Sequence, residues 1–137
     1  MTNHPAISPG AAAVITGGAS GIGLAAAKRF AGFGMNVALA DLDPAALAAA
    51  AAEIGAVAPA ARVLTVACDV SRMEEVQALK ARAYDAFGAV AVLMNNAGTA
   101  PGGGPFDHYD RWQRVLGVNL WGVINGVHAF AEAMIAD

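Results

Sequence analysis

The chain has 137 residues, a net charge of −3 at pH 7 and one cysteine, and its hydrophobic content of 57% is inflated by alanine. This length suits one domain with a moderate core. Lysine and arginine are scattered, so the sequence predicts no nucleic-acid partner. The single Cys68 excludes an internal disulfide and, with no signal-peptide pattern near the N-terminus, favours a cytoplasmic location.

Strand and helix patterns alternate through the first half of the chain. Gly34 is placed to end the first helix, and Asp43-Pro44 is a pair typical of the start of the second. The predicted elements are a strand at 11–16, a helix at 21–33, a strand at 36–40 and a helix at 44–54.

The second half continues this alternation. Ser71 and Glu74 have the spacing of a capping box, which predicts a helix from that point to residue 87, ended by Gly88. Residues 89–94 are apolar throughout, as in a parallel strand covered by helices on both faces. The remaining elements are a strand at 62–67 and a long helix from about Asp107 to the end.

This last helix includes residues 115–136, a segment nearly long enough to span a membrane. Several of its side chains are costly in hydrocarbon, so we expect a buried or interface helix and no membrane partner. These side chains are Asn119, Asn125, His128 and Glu132. An apolar stripe at helical spacing also passes along it, through Trp112, Leu116, Asn119, Val123, Val127, Phe130 and Met134.

The alternation predicts an α/β fold with a Rossmann-like, doubly wound parallel sheet and right-handed crossovers. The chain supplies the N-terminal half of that fold, with about four strands. Ligands of such sheets bind at the carboxyl ends of the strands. The glycine-rich loop after the first strand, Asp41, Asp69 and the turn at 95–98 all fall at those ends, so we expect one crevice between them.

The loop Thr16-Gly17-Gly18-Ala19-Ser20-Gly21-Ile22-Gly23 carries the most chemical information. Only a residue without a Cβ lets the backbone turn tightly and approach a bulky anion at little cost. The helix that follows directs its unpaired N–H groups and its positive dipole end at the loop. The sequence therefore predicts a dinucleotide site with a pyrophosphate at this loop.

The spacing Gly-x-x-x-Gly-x-Gly resembles the classical type of the short-chain dehydrogenase/reductase family. The match is joined, in order, by Asp69-Val70, Asn95-Asn96-Ala97-Gly98 and Asn119. The resemblance covers essentially the whole chain but only the N-terminal half of a complete family member. It implies an NAD(P)-dependent oxidoreductase that transfers a hydride between nicotinamide and a small-molecule alcohol or carbonyl substrate.

The resemblance also implies which residues hold the cofactor. Asp41 would hydrogen-bond the adenosine ribose and repel a 2′-phosphate, which implies NAD in preference to NADP. The implied set is Gly17, Ser20, Gly21, Ile22 and Gly23 around the pyrophosphate and adjoining ribose, Asp41 at the adenosine ribose, Asp69 and Val70 at the adenine, and Asn96, Ala97 and Gly98 on the far side of the cofactor.

Each of these roles has a structural alternative. Asp41 could cap the turn into the next helix, although Asp43 already suits that position. Asp69 could be an ordinary turn residue between strand and helix. The 95–98 turn, in which Asn95 is expected to hold neighbouring strands together, could have a structural role only.

Of the family's catalytic residues, only Asn119 has a counterpart in this chain. The resemblance implies that it distorts the helix and positions a water in a proton relay, whereas the alternative is a buried asparagine bonded to backbone. The catalytic serine, tyrosine and lysine are absent, because Tyr84 is followed four residues later by Gly88 and Tyr109 by Gln113. The histidines show no ligand spacing, so we expect no metal site.

Two hypotheses follow. In the first, residues 1–137 are a single NAD-binding domain, truncated before the catalytic segment of a longer oxidoreductase, inactive alone and a homo-oligomer when complete. In the second, the chain is a non-catalytic nucleotide-binding or interaction module, complete as written.

Overall fold

Four parallel strands form one sheet in the order β3-β2-β1-β4. The computed structural model describes residues 4–100, 102, 104, 106 and 108–137. The strands are β1 (Ala12–Thr16), β2 (Asn36–Asp41), β3 (Val63–Ala67) and β4 (Val92–Met94). The predicted α/β fold with a parallel sheet is confirmed.

Helices follow each strand. They are α1 (Gly21–Gly32), α2 (Pro44–Val57), α3 (Met73–Phe87), α4 (Tyr109–Leu116) and α5 (Gly122–Ala136), the last two joined by a π-helical segment (Gly117–Trp121). We call residues 109–136 the terminal helix. Within the described residues, no helix is both long enough and apolar enough to cross a bilayer.

Side chains alternate between the two faces of the sheet and build a core on each. Ile15 and Leu39 belong to the core under α1 and α2, whereas Val14 and Ala38 belong to the core that contains Leu79 of α3 and Phe130 of α5. Burial of both faces explains why the strands are almost entirely apolar.

The strand order reverses beside β1. The chain proceeds outward from β1 to β2 and β3, and then returns to place β4 on the other side of β1. The connections at the carboxyl ends of β1 and β4 therefore diverge, which opens a crevice at this edge of the sheet.

Strand β4 is shorter than predicted. It spans three half-buried residues rather than 89–94, and it is one of the two edge strands of the sheet. Gly88 and Ala89 are exposed, and only Val90 ahead of the strand is fully buried. An apolar run reports burial but does not distinguish a strand from the packed segment that leads into it.

The predicted capping box at Ser71 and Glu74 is wrong. Helix α3 begins at Met73, and the Ser71 hydroxyl instead donates to Asp69 Oδ1 at 2.6 Å. The side chain that reaches back is Glu75, whose Oε2 accepts from the Asp69 N–H at 2.7 Å. An Asx turn at Asp69 competes for the serine, since aspartate readily binds backbone and hydroxyl groups two residues on.

The terminal helix begins at Tyr109, and the predicted start at Asp107 lies outside the described residues. Its stripe is only partly buried: Phe130 is enclosed, but Trp112, Leu116, Val123 and Val127 are exposed. The buried face of α5 consists of Gly122, Asn125, Gly126, Ala129 and Phe130. A π turn adds a residue per turn and so changes which side chains face the sheet, an effect that a 3.6-residue period does not include.

Candidate functional site

A cleft of about 360 Å³ opens at the carboxyl ends of the strands, at the point where the strand order reverses. Of the eleven cofactor-binding residues proposed from sequence, all but Gly23 line it. The lining residues are Gly17, Ser20, Gly21, Ile22, Asp41, Leu42, Cys68, Asp69, Val70, Asn96, Ala97, Gly98, Thr99, Arg114 and Val118.

The three motif glycines meet different requirements. A Cβ at Gly23 would lie 2.2 Å from the Gly17 carbonyl oxygen, and one at Gly17 would lie 2.9 Å from the Ala97 Cα. These two glycines therefore permit segments of this chain to pack closely against each other. Gly21 has φ +53° and open space around its missing Cβ. The open space for a ligand is therefore at Gly21, whereas Gly23 lets helix α1 pack against the glycine loop.

The amino terminus of α1 adds anion-binding groups to this open space. The Ser20 side chain makes no capping bond, and the first turn contains no acidic residue. The first N–H groups of a helix have no partner within the helix, and the dipole favours negative charge there. These features fit a phosphate group.

Thr16 ties the glycine loop to the 95–98 turn. Its Oγ1 accepts from the N–H groups of Asn96 and Ala97, each at 3.0 Å. The Asn96 side chain returns two bonds, to the carbonyl oxygens of Thr16 at 3.0 Å and Gly17 at 3.2 Å. Asn96 thus has a structural role as well as a place in the cleft lining, and the sequence had identified Thr16 only as the residue before the motif.

Asp41 presents a fixed carboxylate at the cleft. Oδ2 accepts from the Ala19 N–H at 3.1 Å and Oδ1 from the Leu42 N–H at 2.8 Å. The cap of α2 is Asp43, whose Oδ1 accepts from Ala45 N–H at 2.8 Å. The two aspartates therefore have separate positions, and Asp41 does not cap this helix.

Asp69 and Val70 form the wall of the cleft that follows β3. Asp69 Oδ1 accepts from the Ser71 N–H and hydroxyl, so the residue does form a turn. Val70 is buried, and its carbonyl oxygen accepts from Asn125 Nδ2 at 2.8 Å. Neither Asp69 Oδ2 nor the Val70 N–H forms a hydrogen bond with any described residue.

Asn119 lies in the π-helical segment, but it does not line the cleft. Its Oδ1 accepts from the Thr99 N–H and its Nδ2 donates to the Thr99 carbonyl, both at 2.8 Å. Asn95 behaves differently, because its Oδ1 is buried and no described residue donates a hydrogen bond to it. That atom lies against Gly126 of α5.

The sequence did not identify five further residues of the lining: Leu42, Cys68, Thr99, Arg114 and Val118. Arg114 is the only lysine or arginine among the described residues that line the cleft. Its spacing of four residues from Val118 puts both on one face of the terminal helix, which is a signal that the sequence did contain.

Cys68 lines the cleft as a protonated thiol. Burial, followed by the nearby negative charges of Glu75 and Asp69, raises its pKa to about 11. A thiol is nucleophilic only as thiolate, so Cys68 is inert near neutral pH. No group of metal-ligating side chains is found among the residues that the structure describes.

Known proteins share this architecture. The family model for short chain dehydrogenases matches residues 11–137. The 1-deoxy-11-beta-hydroxypentalenate dehydrogenase of Streptomyces arenae is 39% identical over 127 residues, which are 90% of this chain and 44% of that protein.

Two solved structures show the same likeness. A short chain dehydrogenase/reductase from Burkholderia phymatum in complex with NAD matches with a TM-score of 0.88 and 43% identity, over 93% of this chain and 45% of that one. A metagenomic short-chain oxidoreductase in complex with NADP matches with a TM-score of 0.87 and 35% identity, over 95% and 59%. The chain spans about half the length of the relatives it matches, and it belongs to the short chain dehydrogenase family.

Proposed function

We propose that this chain is the NAD-binding part of an oxidoreductase that transfers a hydride between nicotinamide and an alcohol or carbonyl substrate. The observation that carries the proposal is the cleft at the strand-order reversal, where the open space at Gly21 faces a fixed carboxylate. Residues 1–137 would then be one cofactor-binding domain. The bound nicotinamide would supply the hydride chemistry, and the residues of the cleft would hold the dinucleotide.

The donor set of the cleft fits a dinucleotide. Gly21 offers open space to a pyrophosphate, and the amino terminus of α1 offers backbone N–H groups. Asp41 offers carboxylate oxygens to ribose hydroxyls. Asp69 Oδ2 and the Val70 N–H together offer an acceptor beside a donor, which complements the amine and ring nitrogen of an adenine edge.

We expect this chain alone to bind NAD but not to catalyse turnover of a substrate. Burial, the hydrogen bond to Asp137 and its charge raise the pKa of Tyr84 to about 12, the opposite of what a general base near neutral pH requires. Asn119 is bonded to Thr99 through both polar atoms, so a proton relay through it would need further groups from a longer chain.

Titration of NAD into the purified chain tests the site. Calorimetry should detect saturable binding that Asp41→Ala weakens about tenfold, because one fixed acceptor pair is lost. Asp43→Ala is the matched control: it removes a carboxylate two residues away that lies outside the cleft lining, and it should leave the affinity unchanged. Failure of the wild-type chain to bind NAD would overturn the proposal.

The preference for NAD over NADP is a finer part of the proposal. The Asp41 carboxylate supports it by like-charge repulsion of a 2′-phosphate, whereas Arg114 supplies a positive charge to the same cleft. We expect NAD to bind more tightly than NADP, and we expect Asp41→Asn to reduce the ratio of the two affinities. An equal affinity for the two in the wild type would contradict it.

A second candidate is a nucleotide-binding module without catalysis, favoured by the complete engagement of Asn119 with Thr99. The two proposals differ in one measurement. A longer chain that continues past Asp137 should reduce NAD in the presence of an alcohol if the first is correct, and should only bind it if the second is.

We further propose that the complete protein is a cytoplasmic homo-oligomer. The support is a face of the terminal helix rich in exposed apolar side chains: Trp112, Leu116, Leu120, Trp121, Val123, Ile124 and Val127. Large contiguous apolar surface of this kind marks interfaces. Sedimentation at rising concentration should show association that Leu120→Lys reduces, and a monomer at all concentrations in the longer chain would contradict it.

A further inference from the structure

We infer that Asn125 is a positioning residue for the adenine end of the cleft, acting through the backbone of Val70. This inference rests on the proposed function, since it concerns how the same site reads its nucleotide. Asn125 does not line the cleft and belongs to no motif that the sequence revealed.

The contact that carries the inference is a buried side chain-to-backbone bond. Asn125 is 8% exposed, and its Nδ2 donates to the Val70 carbonyl oxygen at 2.8 Å across 55 residues of sequence. An asparagine amide on a buried helix face is costly unless it is bonded. Here its donor goes to Val70, a residue of the cleft wall whose own N–H forms no hydrogen bond with a described residue.

Gly122, about one turn before Asn125 on α5, also packs against Val70. A Cβ at Gly122 would lie 2.6 Å from Val70 Cγ2 and 3.2 Å from Val70 Cβ. The missing side chain therefore lets the helix approach Val70 closely, and Asn125 then fastens it. Fixing both the side chain and the carbonyl of Val70 leaves its peptide N–H with little freedom.

The remaining bonds of this wall hold Asp69 rather than Val70. Ser71 binds Asp69 Oδ1, and Glu75 binds the Asp69 N–H at 2.7 Å. The acceptor of this wall, Asp69, is thus positioned locally by Ser71 and by Glu75 of α3, whereas the donor, the Val70 N–H, is positioned from a distance by α5. Asn125 should accordingly control base discrimination more than overall nucleotide affinity.

The test compares NAD with nicotinamide hypoxanthine dinucleotide, in which a carbonyl replaces the adenine amine and the ring nitrogen becomes a donor. Calorimetric titration of the wild-type chain should favour NAD by about tenfold, because the analogue leaves the Asp69–Val70 edge mismatched. In Asn125→Ala that ratio should fall to about twofold, because the Val70 N–H is no longer held.

Asn36→Ala is the matched control. Asn36 also donates from its side-chain amide to a backbone carbonyl, Gly10 O at 3.1 Å, but at the opposite end of the sheet. A general loss of stability would weaken both ligands equally and leave the ratio intact in either variant. A ratio in Asn125→Ala equal to that in Asn36→Ala would overturn the inference.

A second variant covers the case in which Asn125→Ala does not fold. Gly122→Ala keeps the amide but displaces Val70, and it should lower the same ratio. A wild-type chain that binds NAD and the analogue equally would overturn this inference and leave the proposed function standing, whereas a wild-type chain that binds neither would overturn the proposed function itself.

Discussion

Two regions border the cleft: the glycine loop together with the 95–98 turn, and the terminal helix. Their side chains differ in how many of them have partners within the described residues. In the loop and turn, four hydrogen bonds made by the Thr16 and Asn96 side chains join segments that are about 80 residues apart in sequence. On the terminal helix, nine large hydrophobic side chains are exposed, and the nearby Asn95 Oδ1 has no described donor.

The difference shows which part of the site this chain builds by itself. The hydrogen bonds that join the loop to the turn all lie within the first hundred residues, so this junction needs no contact with the terminal helix. The terminal helix packs through small residues and one amide, Gly122, Gly126 and Asn125, and leaves its opposite face without cover from the described residues. Four substitutions probe this contrast, in order of decreasing effect.

Gly23→Ala should have the largest effect. Its Cβ would lie 2.2 Å from Gly17 O and 2.7 Å from Asn96 Nδ2, at the junction where the loop and turn are bonded together. Backbone cannot move aside as a flexible side chain can, so we expect a loss of more than about 3 kcal/mol in the free energy of unfolding, measured by urea denaturation.

Gly55→Ala provides the control for this substitution. Gly55 lies inside α2 with nothing within 4 Å of an added Cβ, so alanine should stabilise the chain by about 0.5–1 kcal/mol through helix propensity. If Gly23→Ala were as well tolerated as Gly55→Ala, the rigid junction between loop and turn would not exist.

Gly126→Ala tests the terminal helix in the same manner. Its Cβ would lie 2.0 Å from Asn95 Oδ1, a side-chain atom with no described donor, so the neighbour can rotate and we expect a smaller loss of about 2 kcal/mol. In an Asn95→Ala background, Gly126→Ala should cost no more than half of that loss, as a double-mutant cycle would show. Additive effects in the cycle would show that the helix is displaced by some other contact.

Thr16→Val removes a single oxygen atom from the centre of the first region. The change keeps the shape of the side chain but leaves the N–H groups of Asn96 and Ala97 without their acceptor. We expect a loss of about 1–2 kcal/mol, and Thr16→Ser, which retains the hydroxyl, should lose less. A serine variant as unstable as the valine variant would assign the effect to packing instead of hydrogen bonding.

Local patterns predicted most of the fold. Alternating apolar runs, the Asp43-Pro44 helix start and the helix-ending Gly34 gave elements that agree with the structure to within about three residues in the first half of the chain. One failure came where a residue had two local partners. Ser71 fits a capping box in sequence, but Asp69 lies closer to it in the folded turn.

The cleft was predictable as far as its residues belong to motifs. Glycine spacing and strand-end aspartates encode local geometry, so ten of the eleven proposed cofactor residues line the cleft. The roles of Thr16 and Asn125 were missed because their hydrogen-bond partners lie 81 and 55 residues away in sequence. Nothing in a local window indicates which distant backbone group a buried side chain will meet.

The smallest expected effect concerns the far end of the terminal helix. Tyr84 of α3 donates its hydroxyl hydrogen to Asp137 Oδ2 at 2.9 Å, a bond that fastens the end of α5. Burial, then this hydrogen bond and the charge of Asp137, raise the pKa of Tyr84 from 10.0 to about 12. The folded state therefore favours the neutral phenol, so the stabilisation is present below pH 10 and is lost as the pH rises from about 10 to 12.

Tyr84→Phe should consequently lower the free energy of unfolding by less than about 1 kcal/mol at pH 8, since the pair is partly exposed. Between pH 8 and pH 12 the wild type should lose more stability than the variant, as followed by urea denaturation. Tyr109→Phe is the control, because that tyrosine is 81% exposed and should change neither quantity. Identical alkaline slopes in wild type and Tyr84→Phe would mean that this bond does not fasten the end of the terminal helix, and that the helix is held by Phe130, the glycine contacts and the Asn125 hydrogen bond.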